Sequence, residues 1–428
     1  MDAATDFSTD ASVRPPILSA YRHVRGFSAT LAGPLSPEDM TVQSMADASP
    51  TKWHLAHTSW FFETFILKAL QTGYTVFDRS YEFLFNSYYN GIGPQFSRPD
   101  RGVLSRPTVA EIFKYRAHVD EAMRGFIENC SARNWASARP LIALGLNHEQ
   151  QHQELILTDL KHAMSFNPLH PVVYPNIALE RVAPEPIEKD WIEFAGGLSE
   201  IGWRGKGFAF DNEGPAHEIL LRPFRLAPRP VTNAAFIDFI AAGGYTAPRH
   251  WLADGWATVC REGWTHPIYW AERDGVWHEY TLAGLQPLDP AAPVCHISFY
   301  EAFAFAEWAG ARLPTEFEWE AASRSVPLEG HFADSEDFHP RAALPGPGLR
   351  QMFGDIWEWT QSSYAPYPGY RPDADVVGEY NGKFMINQLV LRGGSCATPA
   401  GHIRPTYRNF FYPHHRWQFS GLRLAEDA

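Results

Sequence analysis

The sequence predicts an α+β chain of two domains: an N-terminal four-helix bundle, then an irregular domain of short strands and helices. Three observations carry this. Apolar residues recur at helical spacing only as far as Phe166. A stretch with Pro168, Pro171, Pro175, Pro184 and Pro186 follows, without any helical pattern. From Trp191 onward the chain turns to brief segments, many glycines and polar turns. The expected divisions are 1–170 for the bundle, 171–189 for a linker and 190–428 for the second domain.

Each element has its own signal. Residues 1–14 are polar and read as a disordered tip. From Pro15 to Ala32, Ile17, Leu18, Tyr21, Val24 and Leu31 keep helical spacing. Ser49-Pro50 reads as a helix start, with Ser as N-cap and Pro in the first turn. The helix that follows puts Trp53, His57, Trp60, Phe61 and Leu67 on one face, interrupted only by Thr64. Residues 71–107 lack periodicity and are punctuated by Gly91, Gly93, Pro94, Pro99, Gly102 and Pro107. A loop that long and that aromatic reads as functional rather than disordered. Thr108-Val109-Ala110-Glu111 is a capping box, and its helix runs through Ile112, Tyr115, Val119 and Met123 to end near Cys130. A fourth long helix is expected from Pro140 to Phe166. In the second domain Ile192-Glu193-Phe194 and Ile219-Leu220-Leu221 read as strands. Two further capping boxes, Ser298 to Glu301 and Thr315 to Glu318, open helices, the first ending at Gly310.

Bulk composition narrows the function. The 428 residues are 45% hydrophobic and 20% charged, ordinary globular values. A net charge of -13 and a pI near 5.8 argue against nucleic acid or an anionic membrane surface as partner. No apolar run approaches the roughly 20 residues of a membrane span. The acidic start, Met1 to Asp6, lacks the apolar core of a signal peptide. Cys130, Cys260, Cys295 and Cys396 are far apart and form no CxxC, so a reducing cytoplasm fits best. The aromatic content of 14%, with 15 Trp, suits aromatic-rich cores or a pocket for a cationic ligand.

The chemistry points to Leu146-Asn147-His148-Glu149-Gln150-Gln151-His152-Gln153-Glu154. His148 and His152 lie four residues apart, hence on one helix face. Leu141, Leu144, His148, His152 and Leu155 follow the 3-4-4-3 spacing of a core-facing stripe, so both imidazoles point inward. A lone HxxxH on a polar face would be two hydrogen-bonded histidines. Inward imidazoles need partners, and one divalent metal satisfies both. His57, in the middle of the second helix's stripe, is the expected third ligand; His54, at its edge, is the alternative. The 71–107 loop offers Asn86-Ser87-Tyr88-Tyr89-Asn90 and Arg98-Pro99-Asp100-Arg101. These supply a phenol able to give a proton and guanidiniums able to pair with a carboxylate, or else plain packing and solvated residues.

Two resemblances follow from longer motifs. Asp211 to His217, Pro230 to Asn233, Ala311 to Glu320, Gly354 to Thr360 and Arg392 to Ser395 resemble the formylglycine-generating-enzyme (sulfatase-modifying factor) fold, an irregular C-type-lectin-like domain. The generating enzyme uses a pair of nearby C-terminal cysteines; this chain has only Cys396 there, so that activity is not expected. The first half resembles a DinB-like four-helix bundle with an HxxxHxE motif, His148, His152 and Glu154. The two domains in this order resemble the sulfoxide synthases of ergothioneine biosynthesis, the EgtB type. Ser49 to His57, Asn86 to Tyr89, Tyr407 to Phe411 and Arg416 to Gly421 add to that likeness.

The resemblance implies a non-haem Fe(II) held by His57, His148 and His152. It also implies an O2-dependent reaction joining a thiol donor to the imidazole carbon of hercynine (Nα-trimethylhistidine), to give a sulfoxide. Tyr88 or Tyr89 would donate a proton. Gln151 and Asn409 would hold hercynine, with Phe410 nearby, and Arg98 and Arg101 would take the donor's carboxylate. Phe411 stands where some members carry an acidic residue, which favours free cysteine over γ-glutamylcysteine. Glu154, two residues past His152, points away from the ligand face and reads as a supporting group. The rivals are a selenoneine synthase taking a selenosugar, a DinB-type metal-dependent thiol transferase that would not need Asn409 and Phe410, and a non-catalytic lectin-like binding protein.

Overall fold

In the computed structural model the described residues are 13–175, 191–372 and 381–428. They form two compact units: 13–166 with 205–210 and 372, and 167–175, 191–204, 211–371 and 381–428. Most of the sequence-expected linker, 176–189, and the first 12 residues lie outside the described residues.

The first unit is helical. Its long helices are α1 (Arg14–Ala32), α2 (Thr51–Phe62), α5 (Val109–Asn129) and α6 (Ala132–Ser165); α3 (Lys68–Leu70) and α4 (Tyr81–Phe85) are short. Thr108 and Glu111 form the expected reciprocal capping box. Two starts differ from expectation. Ser49 caps nothing: Pro50 is the residue before α2, and the Ser49 amide donates to Asp159 Oδ2 at 2.8 Å. Helix α6 begins eight residues before Pro140, because Ser131 accepts from the Asn134 amide and the helix runs through the proline. The loop 71–107 is not featureless, containing α4 and a 3-10 segment Arg98–Val103.

Every residue of α2 is buried, so its one-sided stripe understates how enclosed it is. A π-helical segment, Glu63–Leu67, continues it and keeps Leu67 inside while Thr64 is half-buried. Gly145 on α6 sets the approach to α2. A Cβ there would stand 2.6 Å from the Phe62 ring and 2.8 Å from the Phe61 ring. The glycine therefore allows the close crossing that brings His148 toward His57.

The second unit is an irregular α+β assembly of four small sheets. Strands β1 (Ile192–Phe194), β4 (Phe224–Leu226) and β12 (Ala425–Asp427) form one in the order β1-β4-β12. β2 (Gly197–Ile201) pairs with β3 (His217–Leu221), and β5 (Trp270–Arg273), β6 (Val276–Thr281) and β7 (Gly284–Pro287) form a meander. The fourth sheet has the order β10-β9-β8-β11, from β8 (Trp357–Ser363), β9 (Leu389–Arg392), β10 (Asn409–Phe411) and β11 (Ser420–Gly421). Only β11 runs parallel to its neighbour, β8. Helices α7 (Asn233–Ala241), α8 (Ala253–Glu262), α9 (Phe299–Ala309) and α10 (Glu316–Ser323) complete it, and α9 and α10 carry the two expected capping boxes.

The recurring motifs of this unit meet in its core. Arg392 donates to Glu316 and Glu320, Arg408 to Glu316, and Arg423 to Glu358, which also accepts from the Trp319 indole at 2.8 Å. All are buried, so each charge depends on its partner. Gly393 follows at φ +101°, where a Cβ would fall 2.7 Å from the Met352 carbonyl oxygen. These motifs are structural. Among the described residues no helix is long and apolar enough to cross a membrane.

Gly145→Ala is expected to lower stability by about 1–3 kcal/mol, as overpacking of a close crossing does. Denaturant unfolding checks this; an unchanged midpoint would show that the α2–α6 approach is not limited by this residue.

Candidate metal centre

His57 on α2 and His148 and His152 on α6 converge, each buried, with ligand nitrogens all within 4.8 Å of one another. His148 Nε2 lies 3.2 Å from His57 Nε2 and 3.0 Å from His152 Nε2. Nitrogens at right angles around a metal with bonds of about 2.1 Å would be about 3.0 Å apart. The donor set therefore fits one divalent ion. Neutral imidazole suits zinc, copper, iron and nickel, so these atoms alone do not choose among them.

Burial keeps the three rings neutral. It pushes His148 down to about 3, and holds His57 and His152 well below the ordinary imidazole range, with the neighbouring His148 next in effect on both. Neutral rings offer lone pairs. His57 Nδ1 donates to the Phe85 carbonyl at 2.6 Å, which leaves its Nε2 to face the cluster. The His57 ring lies between two indoles, Trp53 at 4.7 Å and Trp60 at 5.4 Å, each within about 13° of parallel.

His54 is not among the three. Its Nδ1 lies 2.8 Å from His152 Nδ1, and its Nε2 lies 3.1 Å from Asp159 Oδ2. Glu154 is half-buried and also stands outside the cluster. Glu149, one residue past His148, is fully buried; it accepts from Arg25 of α1 at 2.9 Å, Ser28 at 2.7 Å and Arg116 of α5 at 3.1 Å.

The loop residues differ from one another. Tyr89 is fully buried against Trp60 and Phe65, and Tyr88 stacks on it at 4.6 Å. Arg101 is buried with its guanidinium 3.4 Å from the Trp53 ring centre, and it donates to Ser49 Oγ at 2.8 Å and Ser87 Oγ at 3.4 Å. Among the described residues it makes no ion pair. Arg98 is exposed and donates to the Asp47 carbonyl. Gln151 is half-buried on α6.

In the second unit Asn409, Phe410 and Phe411 make up β10 and are half-buried. Phe410 stacks on Tyr364 at 4.0 Å, and Phe411 packs near His415 and Trp417. Cys396 is buried.

Two family models match the chain: the DinB superfamily over residues 20–156, and the sulfatase-modifying factor enzyme 1-like domain over 180–346 and 345–428. A hercynine oxygenase of Mycolicibacterium thermoresistibile is 33% identical, over 89% of this chain and 88% of its own. The hercynine oxygenase of Mycobacterium tuberculosis is 32% identical, over 89% and 91%. The chain belongs to the hercynine oxygenase family. A formylglycine-generating enzyme of Streptomyces coelicolor, 30% identical, covers 52% of this chain and 84% of its own. As a member of the oxygenase family the protein is an oxygen-dependent oxidoreductase.

Sequence reasoning missed three parts of this centre. The first is the indole pair around His57, visible only as the spacing Trp53, His57, Trp60. The second is Asp159, seven residues past His152 and therefore two turns along the same face. The third is Glu149, hidden as a polar residue beside a histidine.

Substituting His57, His148 or His152 by Ala should each abolish tight binding of one divalent metal, measured by chelator competition with elemental analysis. In the intact protein, affinity should change little from pH 7 to pH 5, because a proton does not compete until well below that range. A steep loss of affinity near pH 6 would contradict the neutral, buried cluster.

Proposed function

We propose that the protein is a non-haem Fe(II), O2-dependent sulfoxide synthase that joins cysteine sulfur to the imidazole carbon of hercynine, yielding hercynylcysteine sulfoxide. The observation that carries this is the buried three-histidine cluster in a chain of the hercynine oxygenase family. The overall change balances without an added reductant. One C–H and one S–H are lost, a C–S bond and an S–O bond form, and the second oxygen atom leaves as water.

His57, His148 and His152 would hold the iron, which supplies the redox couple for activating dioxygen. The chain's own groups do the rest. Tyr88 or Tyr89 gives the proton, a role that requires hydrogen-bond reach to the reduced oxygen. Arg101 favours an anion: burial disfavours its charge, Arg98 adds to this, and its described partners are hydroxyls and an aromatic face. We assign it, with Arg98, to the carboxylate of the sulfur donor. Gln151, Asn409 and Phe410 are assigned to hercynine, whose trimethylammonium suits an aromatic face better than an ion pair. Phe411 offers no charge for the extra amino group of γ-glutamylcysteine, which favours free cysteine. Cys130, Cys260, Cys295 and Cys396 form no disulfide, which suits a reducing cytoplasm.

The test is anaerobic loading with Fe(II), then hercynine and O2 with cysteine, γ-glutamylcysteine or a selenosugar in separate reactions, and products read by mass. Hercynylcysteine sulfoxide from cysteine is expected. A product only with the selenosugar would replace the reading with a selenoneine synthase, and no oxygen-dependent hercynine product with any donor would end it.

A further inference from the structure

Three nitrogens that are to face one ion must each have their proton on the other ring atom. For His57 the Phe85 carbonyl enforces this, since a carbonyl only accepts. His152 has no carbonyl opposite its Nδ1. It has another histidine, His54, 2.8 Å away. A histidine can donate or accept, so by itself it fixes nothing.

Asp159 resolves the ambiguity. Its Oδ2 lies 3.1 Å from His54 Nε2. A carboxylate accepts, so His54 Nε2 carries the proton and His54 Nδ1 is left with its lone pair. That lone pair accepts the hydrogen bond from His152 Nδ1–H, and His152 Nε2 is left with its lone pair toward the cluster. Asp159 is itself held in place, with the Ser49 amide donating to the same Oδ2 at 2.8 Å. All four groups are buried, so water does not substitute for any of them. The two rings also sit 5.1 Å apart, in direct contact.

We infer that His54 and Asp159 are a positioning pair that sets the tautomer and orientation of the metal ligand His152. This rests on the three-histidine metal site and not on the identity of the substrate. His54 is the residue that its place on α2 made a rival third ligand; here it acts one shell out, through His152. A second effect follows from the same chain of contacts. The carboxylate behind two imidazoles makes His152 a more basic ligand than it would be without that partner.

The experiment uses the full chain, loaded anaerobically with Fe(II) or Co(II), and reads metal affinity by chelator competition. His54→Phe keeps the bulk and removes the acceptor; affinity should fall about 10–100-fold, as loss of such partners does. His54→Asn places an amide oxygen near the position of Nδ1 and should recover part of that loss. Asp159→Asn should weaken binding in the native background but add little to His54→Asn, where the link is already cut. In the zinc-loaded protein, nitrogen NMR of the histidines should show His54 protonated on Nε2 and His152 on Nδ1, and the Co(II) absorption bands should move in His54→Phe. Wild-type affinity in His54→Phe would overturn the inference. So would equal losses in the Phe and Asn variants, or a full additional effect of Asp159→Asn on His54→Asn. Failure of the wild-type protein to bind any metal would instead remove the metal centre itself.

Discussion

Glu149 sits beside His148 on α6, with its carboxylate sealed from solvent between Arg25 of α1 and Arg116 of α5. Arg25 also reaches Thr58 and Ser59 on α2, and Arg116 reaches the Leu55 carbonyl. One anion therefore ties all four long helices together next to the cluster. Burial alone would raise its pKa, yet Arg25 and Arg116 hold it at about 2. Its charge stabilises the fold above the usual carboxylate range of about 4.3. That stability is lost as pH falls from there toward 2. Removing one partner of such a set costs about 3–5 kcal/mol. The histidine geometry depends on this anchor, because a helix free to rotate by a few degrees would separate His148 from His57.

Around that anchor, the centre divides its tasks. Three rings present nitrogens, and what lies behind each ring differs. His57 has a backbone carbonyl and two indole faces. His152 has a histidine and a carboxylate. Rigidity comes from burial, since every residue of α2 and most of the inner face of α6 are enclosed. The buried guanidinium of Arg101 lies 3.4 Å from the centre of the Trp53 ring, on which the ligand His57 also stacks, so an anion held there would sit close to the cluster. The second unit puts its charged motifs to a different use. Arg392, Arg408, Arg423 and their glutamates are buried ion pairs set within an apolar core that includes Trp319, Trp359 and Leu391, and they link short elements to one another.

Much of this was legible in the residues, for identifiable reasons. The helical spacing of His148 and His152, and the place of His57 in its stripe, are local properties of helices. Periodicity reads those directly. The capping boxes at Thr108, Ser298 and Thr315 are equally local, and each opens a helix. The failures have a common cause, which is partners distant in sequence. Ser49 has the side chain of a cap, but Arg101 and Asp159 engage it instead. Pro140 looks like a helix start, yet Ser131 already supplies one. The stripe Leu141 to Leu155 is correct at His148 and His152. Leu141 and Leu155 are only half-buried, while the polar Glu149 and Gln153, which the stripe does not include, are inside. No periodicity rule foresees a carboxylate that waits for two arginines from other helices.

The central claim is that one metal ion is held by His57, His148 and His152. Anomalous diffraction at the iron edge, from crystals of anaerobically loaded protein, tests it most directly. The account predicts a single strong peak within bonding distance of the Nε2 atoms of those three residues, with His54 outside that distance. A peak bonded to His54, or one lying away from this cluster, would contradict it.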